Sequence, residues 1–152
     1  MATFTMFGKF GANILGGEAE GDALTIDYLT DAMKHTLHSA VTSFDVDADE
    51  VLGDVLNELT TSGGYTAGGY TLLTKTATYS ATGNKTVFDC ADPTWTGSGG
   101  GFTARGGLVY RDGTTDPLVG YLDFGSDQVI AASDVLTINI DATNGLFYVT
   151  AT

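Results

Sequence analysis

Along most of the chain apolar and polar residues alternate at every second position, the period of a strand with one buried face. "ATFTMFGKF" at 2–10 sets Phe4, Met6 and Gly8 against Thr3, Thr5 and Phe7, which predicts a first strand. Residues 11–23, "GANILGGEAEGDA", read as a long loop. At 32–41 helical signals (Ala32, Met33, Lys34, Leu37) compete with alternation of Met33, His35, Leu37 and Ser39 against Lys34, Thr36, His38 and Ala40. The strand-like neighbourhood favours a strand. "DADEVLGDVLNEL" at 47–59 is the best helix candidate: Asp47 or Asp49 can cap it, and Val51, Val55 and Leu59 share a face. Gly53 weakens it, so a short helix or a single turn is expected.

Downstream the pattern stays period two. A strand is predicted from about Tyr70 to Ser80, a turn at "ATGNK", and a returning strand at 85–91 that Pro93 ends. "TGSGGG" at 96–101 and residues 125–134 read as loops. "VLTINI" and "LFYVTA" read as a last hairpin, with Asn144-Gly145 at its turn. The stretch 102–125 reads as a hairpin centred on Thr114. That register sets Arg105 opposite Asp123 as a cross-strand ion pair, Gly107 opposite Tyr121 and Val109 opposite Val119. The core face would then carry Ala104, Gly106, Leu108 and Tyr110. Short strands separated by polar turns define the expected fold class: all-β, an antiparallel β-sandwich or partly closed barrel with one short helix. One domain over 1–152 is expected, with residues 1–23 a candidate extended contact arm.

Composition narrows the function classes. The 152 residues include 21 Gly and 2 Pro, and 43% are hydrophobic, enough for a core. The formal net charge is −13 and the six basic residues are scattered, which argues against nucleic acid and anionic membranes as partners. The acidity reads as solubility and self-repulsion, or as a surface matched to a basic partner or to cations. No apolar run is long enough to span a bilayer, and the N-terminus shows no signal-peptide pattern, so synthesis in the cytoplasm is expected. Cys90 has no cysteine to pair with and falls in a strand pattern, where a small buried residue is the ordinary reading.

Sites of chemistry are weakly signalled. "DVDADE" at 45–50 spaces Asp45, Asp47 and Asp49 like a calcium loop, but Glu50 and Leu56 stand where Gly and a bidentate Glu are required. His35 and His38 would lie on opposite faces of a strand and lack further ligands. No nucleophile elbow is present, and "GSGGGF" at 97–102 is followed by no helix to receive a phosphate. Neither metal, cofactor nor catalytic residue is expected. Trp95 reads as a core aromatic, with an interface or sugar-binding anchor as the alternative. Phe7, Phe10, Ile14 and Leu15 are more apolar than a surface arm requires, so Phe4–Phe10 and Asn13–Gly17 read either as contact segments or as pieces of the chain's own core.

Four stretches carry a resemblance: "YTAGGYTL" at 65–72, "FDCADPTWT" at 88–96, "FTARGGLVYRD" at 102–112 and "PLVGYLDFG" at 117–125. They resemble a group of small tailed-phage virion proteins, whose pattern runs Y-T-x-G-G, D-x-T-W, T-A-R-x-x-x-Y and P-L-I/V-G-x-x-D-F-G. The resemblance covers roughly 60–125, and "GKFGANILGG" more loosely. It carries Arg105 and Asp123 over by position and implies no catalytic residue. Gly106 and Gly107 depart from it, since bulkier residues often stand there. What it implies is a virion structural protein, and it does not by itself choose capsid over tail. With no active-site constellation, few lysines, an acidic surface and a β architecture, the expected role is a decoration (cement) protein on the capsid surface that self-associates as a dimer or trimer and binds the major capsid protein. The alternative is a head- or tail-fibre module that binds a host receptor.

Overall fold

In the computed structural model, which describes residues 3–15 and 24–150, the strands are β1 (Thr3–Met6), β2 (Met33–His38), β3 (Tyr70–Thr71), β4 (Thr76–Ser80), β5 (Lys85–Asp89), β6 (Thr94–Thr96), β7 (Phe102–Arg111), β8 (Leu118–Ile130), β9 (Val135–Thr137) and β10 (Phe147–Thr150). They form a five-stranded sheet, β1-β8-β7-β2-β3, a three-stranded sheet, β10-β5-β4, and a two-stranded sheet, β6-β9. Among the described residues every strand pair is antiparallel and no sheet closes into a barrel. The fold is all-β, in line with a sandwich.

The five-stranded sheet is the frame. One face carries Met33, His35 and Leu37 of β2, Gly107 and Val109 of β7, Gly120 and Leu122 of β8, and Phe4 and Met6 of β1. Both small sheets pack there. Phe147 and the half-buried Phe88 join Phe10, Ile26, Tyr28, Met33 and Val109 in one cluster, with the Phe88 and Phe147 rings stacked at 4.6 Å. Trp95 and Ile138 join Leu37, Tyr65 and Ala104 in another. The opposite face carries Leu108 and Tyr110 and is covered by Phe7, Phe44, Leu52 and Val55. Each fully buried side chain of this size contributes about 1.5–3 kcal/mol of transfer free energy.

β7 is therefore buried on both faces, from Gly106 to Tyr110, which is the correction to the one-sided core face expected of it. The register also differs. Gly106 opposes Asp123, Gly107 opposes Leu122 and Val109 opposes Gly120, with irregularities between Ala104 and Gly106 and between Val109 and Tyr110. Val119 is the extra residue at the second of these, a bulge that slips the pairing by one. The two departures from the phage-protein pattern have packing reasons. A Cβ on Gly107 would stand 2.0 Å from the His35 ring, and one on Gly106 would stand 2.4 Å from the Leu122 carbonyl oxygen and 2.5 Å from Val41.

Other expectations are met or displaced. β2, the β4–β5 hairpin and the buried Cys90 and Trp95 lie where predicted. The strand predicted over 70–80 is broken between Thr71 and Thr76, with Thr74 in the left-handed region at φ 54°. The predicted first strand stops at Met6, and Phe10–Ile14 form the one α-helix among the described residues; most of the remaining predicted loop, 16–23, lies outside them.

At 47–59 there is only a 3-10 turn, Leu52–Asp54. Carboxylates divert the backbone there. Asp45 Oδ1 accepts from the amides of Asp47 and Ala48, Asp49 Oδ2 accepts from the Asp45 amide, and Asp54 Oδ2 accepts from Glu50 and Val51. Downstream, the Leu59 amide donates to the Leu37 carbonyl and that of Ser39 to the Asn57 carbonyl, so Glu58 and Leu59 run beside β2 with a His38–Glu58 bridge, while Asn57 turns the chain in the left-handed region at φ 68°.

β8 continues through 125–130, which were expected to be loop. The predicted final hairpin is not one ladder: β9 pairs with β6, and β10 pairs with β5. The Asn144-Gly145 turn does form, closed by an Asp141–Gly145 bridge, but it hands the chain from one sheet to another.

Candidate interaction surface

The Arg105–Asp123 pair forms despite the changed register. Arg105 Nε donates to Asp123 Oδ1 at 2.9 Å and Nη2 donates to Oδ2 at 3.3 Å. The bulge makes this possible: between Ala104 and Gly106 the partner strand carries the whole run Phe124–Asp127, so Arg105 reaches diagonally to Asp123. Asp123 Oδ1 also accepts the Gly125 amide at 2.8 Å, which pins the start of the excursion. The guanidinium hydrogen bonds lower the Asp123 pKa, and the carboxylate raises that of Arg105. Both side chains are partly exposed, and the pair braces an exposed bulge. Asp123→Ala is expected to lower the melting temperature more than Arg105→Ala, because it also frees the Gly125 amide. The double variant should fall short of the sum. Strict additivity would show that the pair does not couple.

The remaining candidates separate into buried and exposed. Phe7 and Phe10 are buried, and Ile14 packs against the cluster around Phe10, so these three serve the chain's own core. Leu15 is 88% exposed and is the only one of the four open as a contact. Trp95 is buried beside His35, ring centroids 5.5 Å apart, and beside Tyr70. Its indole is unavailable for stacking on a sugar.

The side chains with reactive potential are enclosed. His35 is fully buried, neither ring nitrogen has a hydrogen-bond partner, and burial pushes its pKa down to about 4. Burial also lowers His38, which bridges Thr36 Oγ1 at 2.9 Å through Nε2 and the Leu56 carbonyl at 3.0 Å through Nδ1. The Cys90 thiol is pushed up to about 11 by burial, which leaves it protonated at neutral pH. Among the described residues no group of three or more His, Cys, Asp or Glu could hold a metal ion. None of the helices there is long and apolar enough to cross a membrane.

What the surface does offer is an apolar cleft along the β1 border of the sandwich. Its outer compartment, about 460 Å³, lies between Phe4 and Met6 of β1 and Leu146, Phe147 and Tyr148 at β10. The next shares Phe4 and Leu146 with it and adds Leu122, Ile138 and Ile140. A third shares Leu122 and Ile138 and ends at Phe124 and Leu136. Asp141 stands on the rim of the first two compartments. Sequence reasoning missed this cleft, because it depends on two strands far apart in the chain ending their sheets side by side. The available signal was "LFYVT", apolar at consecutive positions where one-sided burial would alternate.

No protein family, characterised protein or solved structure matches the chain in any of three comparisons.

Proposed function

We propose that this protein is a non-enzymatic structural component of a tailed-phage particle: a decoration protein that binds the outer capsid shell through the major capsid protein and stiffens it. The observation that carries the reading is a row of three adjoining depressions, the first two mainly apolar, on the surface of a chain with net charge −13. Such a surface suits docking on an apolar, basic patch and resists self-aggregation in free solution. The resemblance to small tailed-phage virion proteins supports it further. The patterned stretches supply β6, β7, most of β8 and the run into β3, which together form much of the sandwich frame. Burial of His35, His38 and Cys90 supports a mechanical role over a catalytic one.

Docking would act by burying surface across subunit boundaries of the shell. Assembly into dimers or trimers belongs to the same proposal. The test is stoichiometry: quantitative gel densitometry of purified particles is expected to give a copy number in proportion to the major capsid protein. A handful of copies per particle would instead identify a fibre module that binds a host receptor.

A further inference from the structure

We propose that the outer compartment of the cleft receives an extended strand from a partner protein, apolar at alternate positions and flanked by basic residues. Among the described residues β1 ends the five-stranded sheet and β10 ends the three-stranded sheet, so each is paired there with one neighbouring strand. The compartment between them is lined by both strands, and the Phe4 and Phe147 rings stack across its floor at 6.1 Å. Strands hydrogen-bond at a spacing of about 4.8 Å, so one added strand could pair with either edge and lay its alternate side chains on this floor.

Neither edge is defended. "TFTM" and "FYVT" contain no charge and no proline, the usual protections of a solvent-facing edge. Met6 and Tyr148 flank the opening at 44% and 45% exposure. Charge selects the occupant. Asp141 is on the rim and Lys85 Nζ lies over the Tyr148 ring at 4.7 Å, so the local charges offset one another and the net charge decides: a second copy of this chain would bring its own −13, whereas a strand with basic flanks is attracted.

This inference rests on the decoration reading, with the strand supplied by the shell protein, and the experiment separates the two. The probe is a short fluorescein-labelled peptide in which valine alternates with threonine, with lysine at each end. The expected result is saturable binding in fluorescence anisotropy, with amide hydrogen-exchange protection appearing in β1 or β10. A backbone N-methylated version, which cannot pair, should bind at least about tenfold more weakly. Met6→Lys should weaken the peptide by a similar factor while circular dichroism stays that of the native fold, and Tyr148→Lys is the second variant should the first not fold.

Absence of binding, equal binding of the N-methylated peptide, or protection confined to other strands would overturn the proposal. So would a dimer in sedimentation that Met6→Lys abolishes, since the occupant would then be a second copy. A Met6→Lys protein that decorates shells as well as the intact protein overturns the cleft and leaves the decoration reading standing. Intact protein that fails to bind shells overturns the decoration reading, while the peptide result stands by itself.

Discussion

Acidification from about pH 7 to about pH 4 is expected to cost the fold roughly 3 kcal/mol through His35 alone, the product of its shift and about 1.4 kcal/mol per pH unit. Its imidazole is fully buried with both nitrogens unpartnered, so the folded state holds it neutral, with a pKa near 4 against 6.5 in the unfolded chain. A folded pKa below the unfolded one means that the unfolded chain takes up the proton first. Stability is therefore complete above about pH 6.5 and drains away as pH falls toward 4. His38 acts in the same direction. Its surroundings soften the cost, because Nδ1 can donate to the Leu56 carbonyl at 3.0 Å and the Glu58 carboxylate favours the charged ring. The depressed Asp27 and Asp123 carboxylates lose their contribution only at still lower pH. Melting temperature measured across pH 4–7 checks this, with His35→Leu as the comparison. The variant should show a visibly flatter profile whatever its absolute stability, and an unchanged slope would remove His35 from the account.

Gly107→Ala is expected to destabilise the protein by about 3 kcal/mol, the upper range for forcing an extra methyl into a close-packed core. The new Cβ would fall 2.0 Å from His35 Cε1 and 2.9 Å from each ring nitrogen. The ring has little room to retreat, since Trp95 stands beside it and His35 is completely enclosed. Both single variants, Gly107→Ala and His35→Ala, should be costly for opposite reasons, one overfilling the site and the other emptying it. Combined, they should destabilise far less than their sum, because the methyl then occupies part of the vacated space. Chemical denaturation of the four proteins measures the coupling. A tolerated Gly107→Ala would mean that the ring is not packed over this residue.

How much of this was legible in the sequence depended on whether a feature was local. β2 was readable only through its strand-rich neighbourhood, since helical signals competed with its own alternation, and the β4–β5 hairpin because its turn residues are strong signals. The Arg105–Asp123 pair was readable even with the wrong ladder, since long side chains tolerate a shift of one residue. The ladder itself was not, because the extra Val119 and the excursion Phe124–Asp127 leave no mark in an alternating pattern.

The helix expected at 47–59 had sound propensity and a good face. Tertiary pairing of Leu59 with Leu37 and capture of backbone amides by Asp45, Asp49 and Asp54 outweighed both. The last hairpin failed for a related reason: Asn144-Gly145 specifies a tight turn but not which sheet the outgoing strand joins. Phe7 and Phe10 were legible as apolar and ambiguous as to role, and only the packed core assigns them to the interior. The cleft was the least legible feature, since it arises where β1 and β10 end two different sheets.

The most direct measurement is binding of the purified protein to expanded capsid shells that lack it, followed by sedimentation and by shell melting. The account predicts saturable binding at a fixed ratio to the major capsid protein, and shells that survive higher temperature once decorated. Protein that stays in the supernatant at every concentration, with shell melting unchanged, would contradict it.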